Sequence, residues 1–202
     1  DPSIADGFRV IYDRECPFEM RIQQDTADGP QEVGTHDAVK VKVLLKGADE
    51  DPEALRIELS SESDLFFHFS HTSDEESFRR VQEEQKLMVD FPEFPNVLIR
   101  MLNNCIKEMH THLAVFVMHR EGHARLDFIQ NMEYKFLELL SVNFVRSPDD
   151  AVRQHISYRY NAVKSRLAIM QARLQDVNNL VKIKNPSLLL QLQKEAAGAG
   201  GP

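Results

Sequence analysis

Histidine is the residue type here best suited to chemistry, because imidazole binds metal ions and exchanges protons near neutral pH. The sequence has eight histidines, and six of them form close pairs: His68/His71, His110/His112 and His119/His123. No cluster of carboxylates or cysteines completes a four-ligand site at a plausible spacing around these pairs. We therefore expect surface histidines or hydrogen-bonded core histidines, and neither a metal nor another cofactor. The alternative is an enzyme or metal protein that uses them.

The other reactive side chains also indicate a protein that is not an enzyme. The two cysteines, Cys16 and Cys105, do not form a CxxC pair, so we expect small core residues in a reducing compartment. The sequence contains no phosphate-binding loop, dinucleotide-binding GxGxxG, GxSxG or HExxH motif. The acidic residues that follow Ser73 are expected at a helix start, where they stabilise the helix dipole.

Phe144 lies at the end of a predicted strand, just before the sequence Arg-Ser-Pro. Along that strand, Leu140, Val142 and Phe144 share one face. One interpretation makes Phe144 a core residue. The other makes it an exposed aromatic anchor, whose burial in a partner would be worth about 1.5–3 kcal/mol and would give a weak contact.

The elements that must position these residues follow from the spacing of apolar side chains. Period-two alternation predicts four strands before residue 73, within 8–24, 39–44, 55–60 and 64–72, with a turn cluster at 25–30. Helical spacing then predicts two helices, one starting at Ser73 and Asp74 and one over 92–109. Three more strands follow at 112–120, 124–132 and 134–145. The expected fold class is α+β: a small antiparallel β-barrel or sandwich, residues 1–147, with an inserted helix-turn-helix.

From residue 148 the pattern becomes that of one long helix. Apolar residues recur in strict 4-3 alternation, at heptad positions d and a: Ile156, Tyr160, Val163, Leu167, Met170, Leu174, Val177 and Val181. A narrow stripe of this kind predicts a coiled coil, because a helix on its own core shows a broader stripe. We expect a coiled-coil stem over 148–185 and a short helix or frayed tail over 186–202.

Charge separates the two regions. The net charge is −8, yet residues 148–202 carry eight Lys or Arg against four Asp or Glu, which leaves −12 for residues 1–147. An acidic domain is a poor surface for nucleic acid. No stretch is long and apolar enough to cross a membrane, so we expect neither nucleic acid nor membrane as a partner.

Three segments resemble one protein family. The sequence from Leu87 to Cys105 is similar to the signature of the centriolar cartwheel family called spindle assembly abnormal six. The preceding Asp74–Phe78 resembles the start of that family's first head helix. Leu140–Phe144 resembles the segment that carries its head-to-head contact. The resemblance covers nearly the whole chain, although the first 60 residues are similar in pattern alone.

The resemblance implies a structural scaffold that assembles with itself. The stem would form a parallel homodimer, and Phe144 would enter a pocket on a neighbouring head formed by Phe91, Phe94, Leu98 and Met101. Repetition would give the ninefold cartwheel hub of centrioles and basal bodies, in the cytoplasm and cytoskeleton, with other centriole assembly proteins as partners during the cell cycle. A coiled-coil DNA-repair scaffold of the same architecture is the alternative.

Overall fold

Seven strands dominate the first part of the chain in the computed structural model, which describes residues 1–23, 34–119 and 121–198. A 3-10 helix, Pro2–Gly7, precedes them. The strands are β1 Arg9–Ile22, β2 Thr35–Gly47, β3 Pro52–Ser61, β4 His68–Ser73, β5 His112–Met118, β6 His123–Asn131 and β7 Phe136–Arg146. The predicted turn cluster at 25–30 lies outside the described residues. All seven predicted strands are present, with ends shifted by a few residues.

The strands close into a barrel in the order β1-β2-β3-β4-β7-β6-β5. Each neighbouring pair is antiparallel except β1 and β5, which run parallel from the pair Phe18 and Ala114 to the pair Ile22 and Met118. Alternate residues point inward, as Val41 and Val43 do opposite Leu59 and Ile57. The expected antiparallel β-domain is confirmed; the parallel closing pair is not something that the sequence indicated.

Two helices are inserted between β4 and β5: α1, Glu75–Gln85, and α2, Phe94–Lys107. Asp74 caps α1, since its carboxylate accepts a hydrogen bond from the Ser77 amide at 2.9 Å, and the Ser77 hydroxyl accepts one from the Asp74 amide. The helix ends at Lys86, whose φ of 54° is left-handed. The predicted helix pair is therefore confirmed. We call the barrel and this helix pair the head.

Two further helices follow in the described part of the chain: α3, Asp149–Lys184, and α4, Pro186–Gly198. The chain divides into two compact units, Asp1–Ile156 and Ser157–Pro202, so that the first two turns of α3 belong to the barrel unit. Val152 anchors these turns, since it is buried. Among residues 1–23, 34–119 and 121–198, we find no helix with the length and hydropathy required to cross a membrane.

Candidate assembly surfaces

An apolar stripe runs along α3 on the side of the heptad positions. Six of its eight residues are more than half exposed in the single chain: Tyr160, Val163, Leu167, Met170, Leu174 and Val177. Ile156 and Val181, at the two ends, are partly buried. We call these eight residues the seam. An exposed apolar stripe of this length has a free-energy cost in water, which a second helix would remove.

Phe144 is buried, and the prediction of an exposed anchor at this position is wrong. Its side chain is 1% exposed, and its ring centroid lies 6.0 Å from that of Phe116 inside the barrel. The reason is the pairing of β7: Phe144 lies opposite Ala124 of β6, and the next two residues pair with β4. The end of β7 is therefore enclosed by strands on both sides, and the inward face continues through Phe144.

The predicted receiving pocket is also mostly part of the core. Phe91, Phe94 and Leu98 are each at most 4% exposed, whereas Met101 is partly buried. The Phe94 and Phe91 rings contact Phe78 of α1, with centroids 4.6 and 5.5 Å away. These side chains hold α1 and α2 together, and Met101 alone of the four reaches the surface.

The exposed aromatic side chains of this region, Tyr134 and Phe136, lie ten and eight residues before Phe144. Tyr134, in the turn that joins β6 to β7, is 90% exposed, and Phe136, the first residue of β7, is 67% exposed. Met132, in the same turn, is 45% exposed. We call these three residues the aromatic turn. Sequence reasoning placed Tyr134 inside a strand, although the polar Glu133 and Lys135 on either side were a signal of a hairpin tip.

A cavity of about 450 Å³ opens beside Phe144, lined by Ser70, His71, His119, His123, Asn143 and Phe144 among others. The Nδ1 atom of His71 lies 2.7 Å from the carbonyl oxygen of Asn143. Burial lowers the pKa of His71 below its ordinary value, and the hydrogen bond to Asn143 opposes this shift in part. The cavity thus brings together members of two predicted histidine pairs.

The cysteines are core residues. Cys16 of β1 and Cys105 of α2 are buried free thiols. The hydrogen bond between these thiols and the surrounding burial raise the pKa of Cys16 above its usual range. A thiol that resists ionisation is a poor nucleophile. Both thiols are buried in the core, which agrees with the expectation that they are packing residues, although the hydrogen bond from Cys16 lowers the pKa of Cys105.

A second histidine group was not foreseen, because its members are far apart in the sequence. Glu58 of β3, His68 of β4 and His155 of α3 each present one oxygen or nitrogen, and these three atoms lie within 4.8 Å of one another. Glu58 and His68 are buried, and His155 is partly buried. We call this group the His–Glu cluster. His68 belongs to one of the predicted histidine pairs, whereas no sequence pattern linked Glu58 or His155 to it.

Comparison with known proteins gives one consistent family. Residues 10–144 match the family described as Centriolar protein SAS N-terminal domain. The spindle assembly abnormal protein 6 homolog of Danio rerio is 22% identical over 145 residues, which are 68% of this chain and 23% of that protein. The Xenopus laevis homolog is 28% identical over 111 residues, covering 51% of this chain and 17% of that protein. The chain thus spans about a quarter or less of the length of these curated relatives.

Solved structures share the fold. An N-terminal fragment of Drosophila melanogaster Sas-6, described as dimerised via its coiled-coil domain, has a TM-score of 0.71 at 19% identity and covers 96% of this chain and 92% of that fragment. A Leishmania SAS-6 fragment with parts of its coiled coil has a TM-score of 0.70 at 16% identity, covering 89% and 98%. The N-terminal coiled-coil dimer of C. elegans SAS-6 has a TM-score of 0.65 at 17% identity, covering 83% and 98%.

Proposed function

The chain belongs to the centriolar SAS N-terminal domain family, and on that premise we propose that it is a structural scaffold that assembles with itself through its stem and its head. The observation that carries the proposal is the exposed seam of α3. Six apolar side chains in heptad register, each more than half exposed, are typical of a helix that pairs with a second copy. The solved Drosophila relative is described as dimerised through its coiled coil, which supports the same arrangement here.

The first contact in this proposal is a parallel two-stranded coiled coil over the seam. A fully buried aliphatic side chain contributes about 1.5–3 kcal/mol. Leu167 and Leu174 are 54% and 61% exposed in the single chain, so each retains more than half of that free energy for dimer formation. Six such positions on each of two helices, with the partly buried Ile156 and Val181 at the two ends, are sufficient to offset the entropy lost on association.

The second contact joins heads of neighbouring dimers, and we place it at the aromatic turn instead of at Phe144. Tyr134 and Phe136 are exposed at a hairpin tip, which lets them enter a cleft on another head. Two of the solved relatives, from Drosophila and Leishmania, are variants in which one phenylalanine is replaced by an acidic residue. An acidic replacement is the change that one would choose to abolish an aromatic contact, because it places a charge in an apolar pocket.

Two different two-fold contacts on one chain generate a repeating assembly. A closed ring of nine dimers requires a rotation of about 40° between successive members. Each head contact can be weak, since closure of the ring makes the last contacts intramolecular. The assembly proposed is the cartwheel hub of centrioles or basal bodies in the cytoskeleton, with other centriole assembly proteins as partners. In this role the protein is not an enzyme.

Sedimentation velocity at high protein concentration tests the head contact. We expect Tyr134→Glu and Phe136→Glu each to leave the stem dimer intact and to remove larger species. Phe66→Glu is the matched control, because Phe66 is also an exposed head aromatic, at 63% against 67% for Phe136. Larger species that persist in both aromatic-turn variants, or that disappear equally in Phe66→Glu, would refute this placement. Loss of the stem dimer in Tyr134→Glu or Phe136→Glu would contradict the proposal that the seam alone holds the dimer together.

A further inference from the structure

The His–Glu cluster lies where the chain leaves the barrel and enters α3. Glu58 and His68 are on neighbouring strands, and Ser60 of β3 pairs with His68 of β4. His155 reaches the same place from the second turn of α3. It stands three residues after the buried Val152, on the same face of the helix. Three separate elements of the first compact unit therefore meet at one group of titratable side chains.

The geometry of the cluster is close to that of a metal site. Three atoms that lie within 4.8 Å of one another have a common point no farther than about 2.8 Å from each of them. Zinc binds histidine nitrogen and carboxylate oxygen at about 2.0–2.2 Å. Each ligand atom would thus need to move by less than about 1 Å to reach zinc. The imidazoles of His68 and His155 already lie side by side, with ring centroids 4.2 Å apart and planes inclined by 34°.

The surroundings resemble the outer shell that metal ligands require. The Nδ1 atom of His68 lies 2.8 Å from the Ser147 hydroxyl, and the Ser147 amide donates to the carbonyl oxygen of His68 at 3.0 Å. Ser147 therefore fixes the ring so that Nε2 would be the metal ligand. In a metal site, a hydrogen bond at the second ring nitrogen sets the tautomer and orientation.

The carboxylate of Glu58 is held in a similar way. The buried Ser3 donates its hydroxyl hydrogen to Oε2 of Glu58 at 2.6 Å. The Nζ atom of Lys42 contacts the same hydroxyl at 3.2 Å, and its charge is balanced by Asp1 at 2.7 Å. A buried carboxylate costs free energy unless hydrogen bonds or a positive charge accompany it. A divalent cation bound by this cluster would add such a charge.

We propose that Glu58, His68 and His155 form a zinc-binding site that links β3, β4 and the first turns of α3. Two imidazoles and one carboxylate are a ligand set that zinc uses with water as the fourth ligand. Nitrogen ligands favour zinc over calcium or magnesium, which prefer oxygen. The bound ion would fasten the start of α3 to the barrel wall. This inference is independent of the proposed assembly, because all three ligands belong to one chain and one compact unit.

Calorimetric titration of zinc into the chelator-treated, tag-free chain tests the site. We expect one zinc ion per chain, and at least tenfold weaker binding for both His68→Gln and His155→Gln. Ser147→Ala removes an outer hydrogen bond and should weaken binding about 10- to 100-fold. His123→Gln is the control, because His123 is an exposed histidine of β6 outside the cluster. It should bind zinc as tightly as the original chain.

Two further readouts separate a metal site from a hydrogen-bonded polar cluster. Cobalt in place of zinc should give the intense visible absorption of four-coordinate cobalt, and His155→Gln should remove it. Zinc should also slow amide hydrogen exchange in the first two turns of α3 in the original chain and not in His155→Gln. The proposal is overturned if zinc does not bind, or if His155→Gln and His123→Gln weaken binding equally, since the ion would then occupy surface histidines. Circular dichroism of each variant confirms that it is folded.

Discussion

The seam of α3 leads to a prediction with a matched control on the same helix. Leu167 occupies a seam position and is 54% exposed in the single chain. Ile169 is two residues away and 53% exposed, yet it lies about 200° around the helix, outside the seam. Replacement of either by alanine removes the same number of carbon atoms from an equally exposed site. The two variants therefore differ in position around the helix and in little else.

The expected size of the effect follows from the exposed fraction of Leu167. Leucine to alanine removes three carbon atoms, each worth about 0.8 kcal/mol when buried. If dimer formation buries the 54% that the single chain exposes, the loss is about 1.3 kcal/mol per chain and about 2.6 kcal/mol per dimer. At about 1.4 kcal/mol for each factor of ten, the dissociation constant of the dimer rises about 70-fold. Ile169→Ala should change it by no more than about twofold.

Sedimentation equilibrium over a range of concentrations measures both dissociation constants. Tyr134→Glu in the background of each variant removes the proposed head contact, so that the stem equilibrium is observed alone. Helix content from circular dichroism shows whether either substitution has unfolded α3. Equal weakening by Leu167→Ala and Ile169→Ala would refute the reasoning, because it would mean that the helices associate without a defined seam. A chain that stays monomeric at every concentration would refute it as well.

Two other predictions concern the head. Phe144→Ala should lower the free energy of unfolding by about 3–5 kcal/mol in urea denaturation, because Phe144 is a buried core residue. The control Phe66→Ala, at an exposed position, should change the free energy of unfolding by less than about 0.5 kcal/mol. If Phe144→Ala kept normal stability but lost self-association, Phe144 would be a surface anchor after all. The lowered pKa of His71 means that the unfolded chain binds a proton more readily than the folded chain, so stability should fall as the pH drops below about 6.5. His71→Gln should reduce this pH-dependent loss of stability by at most about 1.4 kcal/mol per pH unit. If the variant lost stability with pH as the original chain does, His71 would not be its cause.

Most elements of the fold could be predicted because their signals are local. Period two in β2 and β3, helical spacing in α2 and the cap at Asp74 depend on neighbours within a few residues, and the structure confirms them. The seam is a local signal too, since its heptad register needs one helix alone. The pairing of β1 with β5 had no such signal, because it joins segments about a hundred residues apart and closes the barrel.

The candidate sites depended on tertiary structure for the same reason. Alternation along β7 placed Phe144 correctly on one face with Leu140 and Val142, yet nothing local shows which strands flank the end of β7 and make that face the interior. Tyr134 is exposed because the hairpin tip projects beyond the paired strands, which is again a property of the closed barrel.

The sequence by itself determined the order of strands and helices, the heptad register of the seam, and the family signature from Leu87 to Cys105. Only the tertiary structure decided that Phe144 is core and that Tyr134 and Phe136 are surface. It alone brought Glu58 and His155, which are 97 residues apart in the chain, to within 4.8 Å of each other and of His68. The physical reason is that periodicity specifies which face of an element is apolar, whereas barrel closure specifies what that face meets.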